Sequence, residues 1–163
     1  IGTRWMANCD IPDLTLFPVR YPDLQSLRFF AGLELTFLHL MMWLMSGLSR
    51  LSFINNWAQY SSGIKRISQW FKKFGTNVGG MYIKMEGSSL TGNSIETKWE
   101  LIALNNDGPE IPTILAVVLA KKIASSGITL TGAMPCLGLV SLAEFTHEIK
   151  DLAISQTSTT NVK

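Results

Sequence analysis

Residues 81–112, MYIKMEGSSLTGNSIETKWELIALNNDGPEIP, restrict the fold more than any other stretch of the chain. Met81, Ile83 and Met85 alternate with Tyr82, Lys84 and Glu86; Ile95, Thr97, Trp99, Leu101 and Ala103 alternate with Glu96, Lys98 and Glu100. A period of two places one set on a buried face and the other on a polar face, which is a β-strand. The intervening SSLTGN has turn composition, so the two runs are expected to pair as a hairpin. A register facing Ile83 to Thr97 and Lys84 to Glu96 keeps the apolar residues together and sets opposite charges across from each other. The two-residue slip, with Lys84 opposite Lys98, brings like charges together and is disfavoured. Ile102 and Leu104 are apolar on the polar side too, so that end is expected to be covered on both faces.

The segment NNDGPEIP ends the second strand and opens a helix through about residue 125. Asp107 suits the N-cap, and either Pro109 or Pro112 marks the first turn. Backbone N–H groups of residues 106–110 at this helix start would attract a carboxylate or phosphate; the alternative is a merely structural start. The polar strand face, with Arg28, Tyr82, Lys84, Glu86, Glu96, Lys98 and Glu100, is the second candidate site. Its alternative is an ordinary solvated sheet face.

The rest of the chain is read around this centre. In CDIPDLTLFPVRYPDL, Pro12, Pro18 and Pro22 bias their neighbours to extended geometry and prevent a helix; Leu14, Leu16 and Val19 would edge a sheet. Asp10, Asp13 and Asp23 there suit turns and caps rather than a hard metal. Residues 26–33 read as a strand. Residues 33–48, LELTFLHLMMWLMSGL, are apolar nearly all round, as in a helix packed on several sides or held at an interface. They are too short for the roughly 20 residues of a membrane span, and Glu34 and His39 interrupt them. His39 reads as a core histidine and Gly47 as a helix stop. Residues 57–74 form a second helix by spacing: Trp57, Tyr60, Ile64, Ile67, Trp70, Phe71 and Phe74 recur at three and four residues as a core stripe. Lys65, Arg66, Lys72 and Lys73 lie off it, as a solvated face, an anion site or a membrane-surface patch. Gly75 caps that helix. Residues 128–140 read as a short extended piece and a tight crossing, and Ser141 with Glu144 as a capping box opening a last helix. One domain is expected over residues 1–154, with residues 155–163 as a frayed tail.

Composition bounds the function. The 163 residues are 47% apolar and 16% charged, with a formal charge of +2. That balance argues against nucleic acid, which needs a clustered basic face. Cys9 and Cys136 make neither a disulfide framework nor a zinc site and read as reduced thiols of a cytoplasmic protein. IGTRWMANCD has no apolar run of a secretory signal. No GxGxxG, GxxxxGK[ST], HExxH or GxSxG occurs, so no cofactor-binding or metal residue and no catalytic residue is assigned.

The succession DIPDLTLFPVRYP, FFAGLEL, GGMYIKMEG, KWELIA, DGPEIPTILAVVLAKKIA and GAMPCLGLVSLAEF resembles the C-terminal domain of bacterial saccharopine dehydrogenase-like NAD(P)-dependent oxidoreductases. The likeness spans residues 9–146, with DGPEIP and GAMPCLGL its sharpest parts. It implies an α+β fold, an open, mostly antiparallel sheet with helices packed on one face. It also implies a domain that supplies substrate and dimer contacts to a Rossmann domain, of the same or another chain, that binds NAD(P). Hydride transfer at a C–N or C–O bond of a small amino-acid-like substrate follows from the same resemblance. The substrate-binding residues expected are Arg20 or Arg28 for a carboxylate, with Asp107, Gly108 and Glu110 shaping the pocket. The chain alone is then expected to be inactive. A non-enzymatic interaction module, or a membrane-associated domain using helix 33–48, is the alternative.

Overall fold

The structure is a computed structural model and describes residues 2–125, 127 and 131–162. The fold is α+β. Where one domain over residues 1–154 is expected, the chain divides into two compact units, Gly2–Thr76 and the chain from Asn77 onward.

The unit from Asn77 holds an antiparallel sheet of three strands in the order β3 (Gly79–Ser88), β4 (Ser94–Ala103), β5 (Ile154–Val162). β4 is central and carries the alternation into the core. Leu101, 1% exposed, packs with Ile114 and Val118 of α4 (Ile111–Ala124) and with Phe145 and Ile149 at α5 (Leu142–Glu148). The helices therefore cover one end of one face, the end of Leu101 and Ala103. α4 starts at Ile111 with Pro112 in its first turn, so Pro112 and not Pro109 opens the α-helix; Gly108–Glu110 is a preceding 3-10 turn. α5 begins with the expected capping box, Ser141 Oγ accepting from the Glu144 N–H and the Glu144 carboxylate accepting from the Ser141 N–H.

Two expectations fail in this unit. The first is the hairpin register: Ile83 faces Trp99 and Lys84 faces Lys98, the slip that the charges were expected to forbid. Each lysine finds its carboxylate along its own strand or diagonally instead. Lys84 Nζ lies 2.6 Å from Glu86 and 3.6 Å from Glu96, and Lys98 Nζ lies 2.8 Å from Glu100. A slip of two keeps every side chain on its face, so burial does not choose between the registers and the turn decides. Ser88 faces Ser94, the Ser89 N–H donates to the Asn93 carbonyl at 2.8 Å, and Gly92 takes φ +87°, a conformation glycine adopts without a Cβ clash. The second is the tail. Its residues form β5, paired with β4 from Ile95↔Val162 to Ala103↔Ile154. β4 offers a second ladder edge, and β-branched Thr157, Thr159, Thr160 and Val162 suit it. Of the short extended piece and tight crossing read at residues 128–140, residues 128–130 lie outside the described residues, and 131–140 form no strand but bend at 132–133 and 137–140.

In the Gly2–Thr76 unit, β1 (Ala7–Asn8) pairs antiparallel with β2 (Phe30–Ala31), so the strand expected at 26–33 shrinks to two residues and Arg28 lies outside it. Gly32 sits where a Cβ would fall 2.3 Å from the Trp5 carbonyl oxygen. The proline-rich stretch is helical as α1 (Asp13–Arg20), against expectation. Pro12 takes φ −54° at the N-cap, where its missing N–H is not needed. Pro18 lies in the last turn, so only one ladder bond is forgone. Asp13 and Arg20 complement the helix dipole at the two ends.

α2 (Thr36–Arg50) runs through Gly47 instead of stopping there, and the chain leaves it through Ser52, φ +60°. The aromatic-spaced segment forms a 3-10 turn Trp57–Tyr60, α3 (Ser61–Phe71) and a 3-10 turn Lys72–Phe74, with Gly75 as the expected cap. α2 meets α3 where the Phe37 and Phe71 rings lie 5.4 Å apart, and its other end meets the 3-10 turn before α3, where Trp57 Nε1 donates to Ser49 Oγ at 2.7 Å. Neither forms a core, contrary to the reading of the 57–74 stripe as buried; of the two readings of residues 33–48, burial on several sides is not seen. No described residue of this unit is buried, and His39 is half-buried on α2.

Candidate functional site

The residues singled out from sequence fall into different places. Arg20 ends α1, where its Nε donates to the Tyr21 hydroxyl at 3.3 Å, and Arg28 is exposed in a connecting segment; both belong to the Gly2–Thr76 unit. Asp107, Gly108 and Glu110 belong to the unit from Asn77.

The loop before α4 is built by the chain's own hydrogen bonds. Asn105 and Asn106 take φ +53° and +67°, which asparagine tolerates better than most residues. The Asn106 N–H donates to Asn77, that of Asp107 to Leu104 and that of Glu110 to Asp107. Pro109 has no N–H to give. Donors that would have greeted an anion are thus largely used internally. Asp107 occupies the N-cap position without capping; its Oδ2 accepts from the Ala153 N–H at 2.7 Å and ties the loop to the start of β5. Glu110 is exposed.

The polar sheet face is a mesh. Tyr82, Lys84, Glu86, Glu96, Lys98 and Glu100 share it, and Lys98 also lies 5.4 Å from the Tyr82 ring centroid. The Glu86 contact raises the Lys84 pKa above its ordinary value, with Glu96 adding to it. The opposite face differs between its ends. Beyond the part covered by α4 and α5, the β3 residues Met81, Ile83 and Met85 are 45%, 46% and 52% exposed, beside half-buried Trp99. Among the described residues β3 is also an edge strand, with one ladder side unpaired. The alternation that marked these residues as apolar-facing was visible in sequence; that the helices stop short of them was not.

A second network joins α4 to α5. Lys122 Nζ donates to the Leu139 carbonyl at 2.8 Å and pairs with Glu144 at 2.8 Å, and Lys121 pairs with Glu148. The Lys122 hydrogen bond, then those from Ser141, lower the Glu144 pKa from 4.5 to about 2. These charges are mutually satisfied, and exposed His147 stands beside them in an open groove. Cys9 and Cys136 are free and exposed. Among the described residues no group of three or more His, Cys, Asp or Glu could hold a metal, and no helix is long and apolar enough to cross a membrane.

No family model, no curated protein and no solved structure matches the chain.

Proposed function

We propose that the chain is a substrate-binding or dimerisation domain of a saccharopine dehydrogenase-like oxidoreductase. Its residues carry no dinucleotide fingerprint, so NAD(P) would sit on a Rossmann domain of the same or another chain. The reaction would be hydride transfer on a small amino-acid-like substrate. The ordered motifs from DIPDLTLFPVRYP to GAMPCLGLVSLAEF support the family. Of the two roles, assembly has the better physical support, because the N–H groups of Asn106, Asp107 and Glu110 in the loop before α4 already donate within the fold. The observation that carries it is the β3 line Met81, Ile83 and Met85, half-exposed on an unpaired edge of the sheet. Such an edge is a template for a second strand, and the apolar line gives it a face to bury.

Sedimentation velocity of the purified chain tests this. The wild type is expected to self-associate, and Ile83→Lys, at an exposed position that leaves the core intact, to be monomeric with unchanged circular dichroism. A wild type that stays monomeric at all accessible concentrations overturns the assembly role. The chain alone is expected to leave NADPH unoxidised with imine or keto-acid substrates; robust turnover overturns the placement of the cofactor on another domain.

A further inference from the structure

Between Glu34 and Glu86 the chain has no Asp or Glu, yet it carries Arg50, Lys65, Arg66, Lys72, Lys73 and Lys84. Four of these cations lie on or beside α3, all exposed, and none pairs with a carboxylate among the described residues. Their placement is regular. At about 100° per residue along α3 and about 120° in the 3-10 turn that continues it, Lys65 of α3 and Lys72 of the turn fall on one margin, and Arg66 and Lys73 on the other. Ser62 and Gln69 fall between the two rows. The apolar stripe of Tyr60, Ile64, Ile67, Trp70, Phe71 and Phe74 falls opposite them. Most of that stripe is open to solvent: Trp70 is 71% and Phe74 73% exposed. α2 adds Phe37, Leu40 and Trp43, the last 72% exposed. Leu35, Thr36, Phe37, Phe71 and Phe74 line an open hollow of about 270 Å³ between the two helices.

We infer that α2 and α3 form a docking element for an anionic lipid surface, with α3 lying in the plane of the interface. An in-plane helix needs an apolar stripe that enters the acyl boundary and cations that stay at headgroup depth. α3 has both, with a cation row on each margin. Long Lys and Arg stems reach up to the phosphates while their methylenes cover apolar surface. The absence of carboxylates over this span removes the repulsion that an anionic surface would exert. No described helix is long and apolar enough to cross the membrane, so the contact is peripheral. This inference does not rest on the oxidoreductase reading, and it uses residues outside the β3 surface proposed for assembly.

Flotation of the full chain with phosphatidylcholine vesicles, with and without about one third phosphatidylserine, tests the inference. The chain is expected to float with the anionic vesicles and to be released by about 0.5 M salt, where screening is short-ranged. Lys72→Gln with Lys73→Gln is expected to weaken partition about 25-fold, about fivefold per cation. Trp70→Ser with Phe74→Ser is expected to weaken it at least about tenfold, and because both side chains are exposed, far-ultraviolet circular dichroism should not change. Failure to float on anionic vesicles, equal flotation without phosphatidylserine, or full binding by either variant overturns the inference. So does an oligomer that Trp70→Ser with Phe74→Ser dissolves in a chain that binds no vesicle, because the surface would then belong to a second copy.

Discussion

Glu144 accepts from Lys122 Nζ, from the Ser141 N–H and from Ser141 Oγ, so one carboxylate caps α5 and holds it to α4. All three contacts need the ionised form, which is why its pKa falls to about 2. A group with a depressed folded-state pKa stabilises the fold above its unfolded value, near 4.5, and loses that contribution as pH falls toward 2. The thermal midpoint is therefore expected to drop between about pH 4.5 and pH 2, and Glu144→Gln to flatten that part of the profile. An unchanged profile in the variant would assign the acid sensitivity to other groups. Glu34 repeats the device in the other unit. The Thr76 hydroxyl donates to it at 2.6 Å, the Thr76 N–H donates at 2.8 Å, and Arg4 lies 3.7 Å away. The hydroxyl bond is the largest cause of its lowered pKa. In sequence Glu34 only interrupts an apolar run, whereas the Ser141–Glu144 spacing announces its own partner. Local pairs are legible from spacing; a bond spanning forty-two residues is not.

At the scale of elements, β4 is the pivot. It pairs with β3 and β5 and turns Leu101 and Ala103 into the helices. Leu101→Ala is expected to cost about 2–5 kcal/mol, because a fully enclosed leucine leaves a cavity; denaturant unfolding measures it, and a loss below about 1 kcal/mol would mean that the core is not where these side chains place it. β4 was legible because its two faces differ in chemistry, and α4 and α5 because their starts carry proline and a capping box. The failures share a cause. α1 was hidden because proline weighs against a helix unless it falls at a start or in a last turn, and those bounds are not visible beforehand. β5 was hidden because a Ser/Thr-rich run has little apolar alternation and becomes a strand only when β4 supplies the ladder. The register turned on a five-residue turn and on diagonal ion pairs, which a rule about directly opposed charges does not see. The loop before α4 shows a related effect: the carbonyls of Asn77, Leu104 and Asp107 accept from the Asn106, Asp107 and Glu110 N–H groups, and the Asp107 carboxylate accepts from Ala153, bonds that spacing alone does not announce.

For the whole molecule, the two units differ in what holds them. Every buried hydrophobic residue among those described, from Leu101 to Ile149, belongs to the unit from Asn77, and none to Gly2–Thr76. Amide groups exchange through local openings whose cost scales with the packing that must be broken. In the free chain, protection is thus expected to be highest in β4 and α4 and lowest in α2 and α3, where helical hydrogen bonds face solvent with little side-chain cover. Short helices in water are marginal without a packed face, so a surface that covers the apolar stripe should raise their protection selectively. Hydrogen exchange of the full chain with and without anionic vesicles reads both expectations at once. Slowed exchange confined to residues 36–74 on adding vesicles is the expected result. Protection in α2 equal to that in β4 before any lipid is added would mean that a cover for α2 is already present in the free chain, and the contrast drawn between the two units would fall.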